Sequence, residues 1–194
     1  MTAEKIIQHI EEAMPLSKNE LDLRSNGERF GLIIVDEVNG FATVGAGNLA
    51  PQTPNEQVSM MVSETDRLAR AFVKQGMPVL AFLDTHEPGK PEPPYPPHCE
   101  RGTGEEELVP ELKWLEEDHN VTLVRKDCIN GFIGAYKEDN SNAVIDWSRE
   151  NNIENILVVG ICTDICVMDF VLTLLSVRNH GMIPNLKEVI VYDK

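Results

Sequence analysis

The sequence predicts an α/β domain: a mainly parallel sheet with helices on both faces, in a Rossmann-like three-layer arrangement. Three observations carry that prediction. Short apolar runs rich in β-branched residues recur along the chain, as buried parallel strands require. Between them lie longer segments with helical spacing of apolar residues, so βα units repeat and right-handed crossovers follow. Finally, 194 residues with 42% hydrophobic content are enough for one such domain with a sizeable core. A single domain is therefore expected over 1–194, with 1–28 as an N-terminal helical extension and 87–97 as a proline-rich loop.

Taken in order, Ile6, Ile10 and Met14 share one helical face, and Ser17 with Glu20 has the spacing of a capping box for a second short helix. Gly31 to Asp36 reads as a buried strand ending in a carboxylate. Thr53-Pro54-Asn55-Glu56 reads as an N-cap, a proline at the first helical position and a capping-box glutamate. Met61, Val62, Thr65, Leu68, Ala69, Phe72 and Val73 continue that helix, and Gly76 closes it. Pro78 to Asp84 is a second strand, again ending in aspartate. Val121 to Arg125 is a third, followed at once by Lys126. Asp146 and Trp147 belong to a helix before the strand that starts at Ile156. After Cys166 the chain is apolar and helical until Gly181, and Glu188 to Tyr192 forms the last strand. Between Glu87 and Pro97 stand Pro88, Pro91, Pro93, Pro94, Pro96 and Pro97, which exclude helix and central strand. That segment must be a stiff loop at the carboxyl end of the second strand.

Strand ends are where open α/β sheets place their chemistry. Four of them here carry Asp36, Asp84, Lys126 and the pair Cys162/Cys166, so residues remote in sequence can converge on one rim. Cys166 falls in or near the first turn of a helix, where free N–H groups and a partial positive charge favour a thiolate. A small buried hydrophobe fits that position too. Asp84-Thr85-His86 puts two ligand types on the same side of an extended segment, and His98 returns at the end of the proline loop. One carboxylate and two imidazoles suit a divalent metal and leave coordination positions open. Glu92 is a further candidate ligand, Cys99 is expected to point away, and His9, His119 and His180 have no such company.

Composition excludes other classes. A net charge of −15 opposes binding to phosphate backbones or anionic lipid, so neither nucleic acid nor membrane is an expected partner. No apolar run is long enough to span a bilayer. Four cysteines without a signal peptide read as reduced thiols, and a cytoplasmic location is expected.

In sequence order, the following motifs resemble the isochorismatase-like cysteine hydrolases: Val35-Asp36 leading to Asn39 and Phe41; Asp84-Thr85-His86; Pro96-Pro97-His98-Cys99 with Gly102-Thr103; Lys126; and Gly160-Ile161-Cys162-Thr163-Asp164-Ile165-Cys166. Within that superfamily the resemblance is closest to nicotinamidases of the plant type and runs from about Gly31 to Tyr192. It implies catalytic Asp36, Lys126 and Cys166, and a metal held by Asp84, His86 and His98, with zinc the expected ion. The implied reaction is hydrolysis of nicotinamide to nicotinate and ammonia in NAD salvage. Cys166 attacks the carboxamide carbon, Asp36 acts as general base, and Lys126 favours the thiolate and holds Asp36. The backbone N–H groups of Cys162 and Cys166 would meet the oxyanion, with a cis peptide before Cys162. Phe41 and Tyr95 would flank the pyridine ring, whose nitrogen the metal would hold directly or through water.

Two departures stand out. Family members usually continue past the last strand with another helix, so a chain stopping at Lys194 would leave one sheet face less covered. Cys162 stands where a small residue such as alanine is common, which leaves two cysteines one turn apart and a thiol switch open. Three other functions stay open from sequence: a sister amidohydrolase acting on a carbamoyl or ureido amide, an ether hydrolase of the isochorismatase type, and a non-catalytic thiol or metal sensor. Homo-oligomerisation is also left open.

Overall fold

The computed structural model describes Lys5 and residues 27–192. The helix expected at the N-terminus, the expected Ser17–Glu20 capping box and His9 lie outside those described residues. Five strands form one sheet: β1 (Phe30–Val35), β2 (Val79–Asp84), β3 (Val121–Lys126), β4 (Asn155–Gly160) and β5 (Glu188–Val191). Their order is β3-β2-β1-β4-β5, and every pairing is parallel.

Period-two alternation splits the apolar strands into two cores. Ile33, Val35, Leu80, Phe82, Ile156 and Val158 face one layer, while Leu32, Ile34, Ala81, Leu83, Leu157 and Val159 face the other. Helices cover both faces. On the second face lie α2 (Glu56–Lys74), through Val62, Leu68, Ala69 and Phe72, and a 3₁₀ helix (Pro110–Glu117), through Leu112 and Leu115. On the first lie the single turn α3 (Gly131–Gly134), α4 (Ala143–Glu150) and α5 (Met168–Asn179). One further turn, α1 (Asn39–Ala42), follows β1. No helix among the described residues is long and apolar enough to cross a membrane.

Three details differ from the sequence reading. The cap of α2 is Asn55, in extended conformation, whose side chain accepts the Val58 N–H at 3.2 Å; Thr53 and Pro54 precede it, and Glu56 opens the helix instead of closing a capping box. The 3₁₀ helix was not expected, because its two buried leucines three residues apart give too short a periodic signal. Cys166 sits in a π-helical turn (Thr163–Val167) that precedes α5, not in an ordinary α-helical first turn. The loop 87–97 holds neither helix nor strand, as its prolines dictate.

Gly160 ends β4 with φ +127, and a Cβ there would collide with the Val35 backbone. Only glycine lets β4 turn this close to β1, and the turn carries Cys162 and Cys166 over the sheet rim.

Directly after β1, Glu37 is fully buried, with Oε1 accepting the Thr65 hydroxyl at 2.6 Å and Oε2 left without a partner. Burial pushes its carboxyl up to about 8, against the pull of the Thr65 hydrogen bond. The folded state therefore holds a proton that the unfolded chain releases above about 4.5. Stability from this group is complete below that value and is lost as pH rises through about 8, a change of roughly 3–5 kcal/mol. Glu37→Gln should accordingly gain on the wild type as pH rises from 6 to 9 in paired thermal melts. A difference in melting temperature that stays constant over that range would mean Glu37 is ionised in the fold.

Candidate active site

The carboxyl ends of β1 to β4 converge as the topology requires. Val35 pairs with Phe82 on one side and Gly160 on the other, so Asp36 and the β4 turn are neighbours at the point where strand order reverses. Asp84 and Lys126 are register partners at the ends of β2 and β3.

Lys126 is the hub. Its side chain is fully buried, and Nζ lies 2.8 Å from Asp36 Oδ2 and 2.8 Å from Asp84 Oδ1. It also donates to the Cys128 carbonyl at 2.9 Å. Burial alone would push the ammonium down, but the two carboxylates overcome it and hold the group charged. The contact with Asp36 is an ion pair, and the Cys166 thiol lies against the same carboxylate. Asp36 is also held in the left-handed backbone region, at φ 55, a conformation that a non-glycine residue adopts only when its surroundings impose it.

Burial raises the Asp36 carboxyl to about 6, with Lys126 pulling down and Asp84 pushing up. It is thus ionised at neutral pH yet basic enough to take a proton. Cys166 is buried beside it. The thiol is raised well above its ordinary value, first by burial and then by the Asp36 charge, and Lys126 offsets this only in part. Burial and the Asp36 charge thus outweigh the helix end, and Cys166 stands as a thiol next to a base. Cys162 is half-buried, at the start of the π turn, and the Ile161–Cys162 peptide is cis.

Asp84 joins this triad to the second cluster. Its Oδ2 lies 3.1 Å from His86 Nε2 and 3.2 Å from His98 Nε2. Although burial works to raise its carboxyl, hydrogen bonds from both imidazoles and the Lys126 charge hold it far below the usual carboxylate range. Among the described residues, Asp84, His86 and His98 form the one group that could hold a metal, with donor atoms within 4.8 Å of one another. The donor chemistry fits. His98 Nδ1 donates to the Pro96 carbonyl at 2.8 Å, which fixes the ring so that Nε2 is the nitrogen turned toward Asp84 and the one that would face an ion. One carboxylate and two imidazoles make a three-ligand set with open positions.

Glu92, from the proline loop, places Oε2 3.6 Å and 3.5 Å from the two imidazole nitrogens, while its Oε1 accepts the Ile129 N–H at 2.9 Å. It is in the neighbourhood of the set without joining it. Cys99 points away, its thiol packed against Gly40. The rings of Phe41 and Tyr95 flank His98, with centroids 5.6 Å and 6.0 Å away. His119 and His180 are exposed and remote from any such group. Sequence reasoning missed two carbonyls, Cys128 O and Pro96 O, since a backbone acceptor leaves no mark in the residue pattern. It also passed over Glu105, whose signal was only its place in the run Gly102-Thr103-Gly104-Glu105-Glu106-Glu107.

Residues 31–186 match the model of the Isochorismatase domain. The chain is similar to Nicotinamidase 1 of Arabidopsis thaliana, 52% identical over 191 residues, covering 98% of this chain and 78% of that protein. Among solved structures, the nicotinamidase PncA of Bacillus subtilis is 30% identical with a TM-score of 0.63, covering 84% of this chain and 83% of that one. An N-carbamoylsarcosine amidase of Thermoplasma acidophilum, 23% identical with a TM-score of 0.62 over 84% and 80% of the two chains, shares the fold.

Proposed function

We propose, from the premise that this chain belongs to the isochorismatase family, that it is an amidohydrolase converting nicotinamide to nicotinate and ammonia. Identity of 52% to a nicotinamidase over nearly the whole chain supports the substrate. The observation that carries the chemistry is Lys126, fully buried and 2.8 Å from both Asp36 and Asp84, because it couples a base beside a thiol to a metal-ligand set.

Asp36 removes the Cys166 proton as Sγ bonds to the carboxamide carbon, so thiolate forms only when substrate is in place. Lys126 keeps Asp36 ionised between turnovers and offsets the negative charge passed to sulfur. The carbonyl oxygen, now an oxyanion, meets the backbone N–H groups of Cys162 and Cys166. Collapse breaks the C–N bond, Asp36 returns its proton to the leaving nitrogen, and ammonia departs. Water, relieved of a proton by Asp36, then hydrolyses the thioester, and Cys166 recovers its thiol as nicotinate leaves. Asp84, His86 and His98 would hold a divalent ion, which we propose is zinc, and the ion would supply a Lewis acid for the pyridine nitrogen. Phe41 and Tyr95 would flank the ring and orient the carboxamide.

The test is ammonia release from nicotinamide by the purified protein, before and after chelation, with metal measured in the same samples. Chelation should greatly lower activity, and His86→Ala or His98→Ala should lose metal stoichiometry. Because the base must be ionised, kcat/KM should fall as pH drops through about 6. Full activity in metal-free protein removes the metal from the mechanism. Turnover of a carbamoyl amide with none of nicotinamide assigns the chain to the sister reaction.

A further inference from the structure

The two metal-binding imidazoles are held together by backbone. His86 N–H donates to the Cys99 carbonyl at 3.0 Å, and Arg101 N–H donates to the His86 carbonyl at 2.8 Å. Cys99, the residue after His98, sits at φ 46, a left-handed conformation that costs energy for any residue with a Cβ. The direction in which His98 leaves the chain depends on Cys99 staying there. What holds it is a carboxylate. Cys99 N–H donates to Glu105 Oε2 at 2.9 Å, a charge-assisted bond made by the strained residue itself.

The surroundings of Glu105 are shaped to keep it in place. Its backbone carbonyl accepts the Gly40 N–H at 2.8 Å, which ties it to the turn after β1. A Cβ at Gly40 would lie 2.6 Å from the Cys99 thiol and 3.1 Å from Glu105 Cβ. A Cβ at Gly47 would collide with the Glu105 carboxylate. Two glycines thus leave room for Cys99 and for the acid that braces it. The neighbouring acids do other work: Glu106 accepts the N–H groups of Gly102 and Gly104, and Glu107 pairs with Arg125 and Lys113.

We infer that Glu105 is a positioning residue for the metal site: by bracing Cys99 in its left-handed conformation it aims His98 at the ion. This rests on the metal reading of Asp84, His86 and His98. Glu105 touches neither ion nor substrate, so its effect passes through Cys99 and appears as metal affinity.

Zinc affinity, measured by competition with a chromophoric chelator, tests it without recourse to activity. Glu105→Ala should weaken zinc binding roughly 10–100-fold, the range seen when a supporting partner of a metal ligand is removed. Glu105→Gln keeps an acceptor for the Cys99 N–H and should stay within about threefold of wild type. Gly47→Ala is the sharper probe, because its methyl displaces only the flexible end of Glu105 and leaves every atom of that residue present; it too should weaken zinc. Glu107→Ala, in the same acidic run, should bind as wild type does. Wild-type zinc affinity in both Gly47→Ala and Glu105→Ala would overturn the role of Glu105 alone. A wild-type protein that takes up no zinc would overturn the metal reading, and this inference with it.

Discussion

Cys166→Ala should abolish ammonia release from nicotinamide while the fold and metal uptake stay at wild-type level, and Cys162→Ala should keep most of the activity. The contrast follows from what each residue presents. Cys166 is buried against the Asp36 carboxylate, so its sulfur is the atom that can be deprotonated in place. Removing one sulfur from this buried position costs roughly 1–2 kcal/mol, too little to unfold the domain. Cys162 stands at the start of the π turn, half-buried, and what the proposed mechanism asks of it is a backbone N–H that alanine also has. Loss of the nucleophile leaves no second group able to form the thioester, so residual turnover should fall to background, not to an intermediate level. An inactive Cys162→Ala beside an active Cys166→Ala would reverse the assignment. Metal content measured in both variants separates loss of chemistry from loss of the site.

Much of this centre was legible in the residue pattern because strands end where the apolar run ends. Asp36, Asp84 and Lys126 each follow or close such a run, and parallel topology then puts them on one rim. The Asp84-x-His86 spacing was readable for the same reason, since an extended chain alternates sides. The proline loop announced itself through what its residues forbid. Properties that depend on three-dimensional burial were not readable. A cysteine at a helix start suggests a lowered pKa, yet desolvation and the Asp36 charge outweigh the helix end and Lys126, and the thiol goes up instead. The π turn around Cys166 and the cap at Asn55, two residues past the expected Thr53, were set by packing that local propensity does not encode. Nothing in the residue pattern sets Glu37 and Glu105 apart from the other acids of an acidic chain; only the fold buries one beneath α2 and aims the other at a backbone N–H.

Lys126→Met should remove activity and also destabilise the metal-free protein by about 3–5 kcal/mol at pH 8, the scale of an uncompensated buried charge. Methionine matches the length of the lysine stem, so packing is kept and only the ammonium is lost. Without it, Asp36 and Asp84 face each other across a buried site with no cation between them. Both carboxyls must then rise above their unfolded values, and the folded state takes up protons that the unfolded chain does not. Stability linked to such groups is present at low pH and lost as pH rises through the raised values, so the deficit of the variant should shrink between pH 8 and pH 5. Urea unfolding of wild type and variant at the two pH values measures this directly, in chelated samples because a bound cation would itself compensate Asp84. Lys126→Arg should not rescue turnover. Its charge is right, but a planar fork cannot replace a compact ammonium within 2.8 Å of two carboxylates and 2.9 Å of the Cys128 carbonyl. A Lys126→Met protein as stable as wild type at pH 8, or one whose deficit is the same at both pH values, would mean that Asp36 and Asp84 are not held apart by Lys126. The coupling of the proposed base to the metal set would then have no physical carrier.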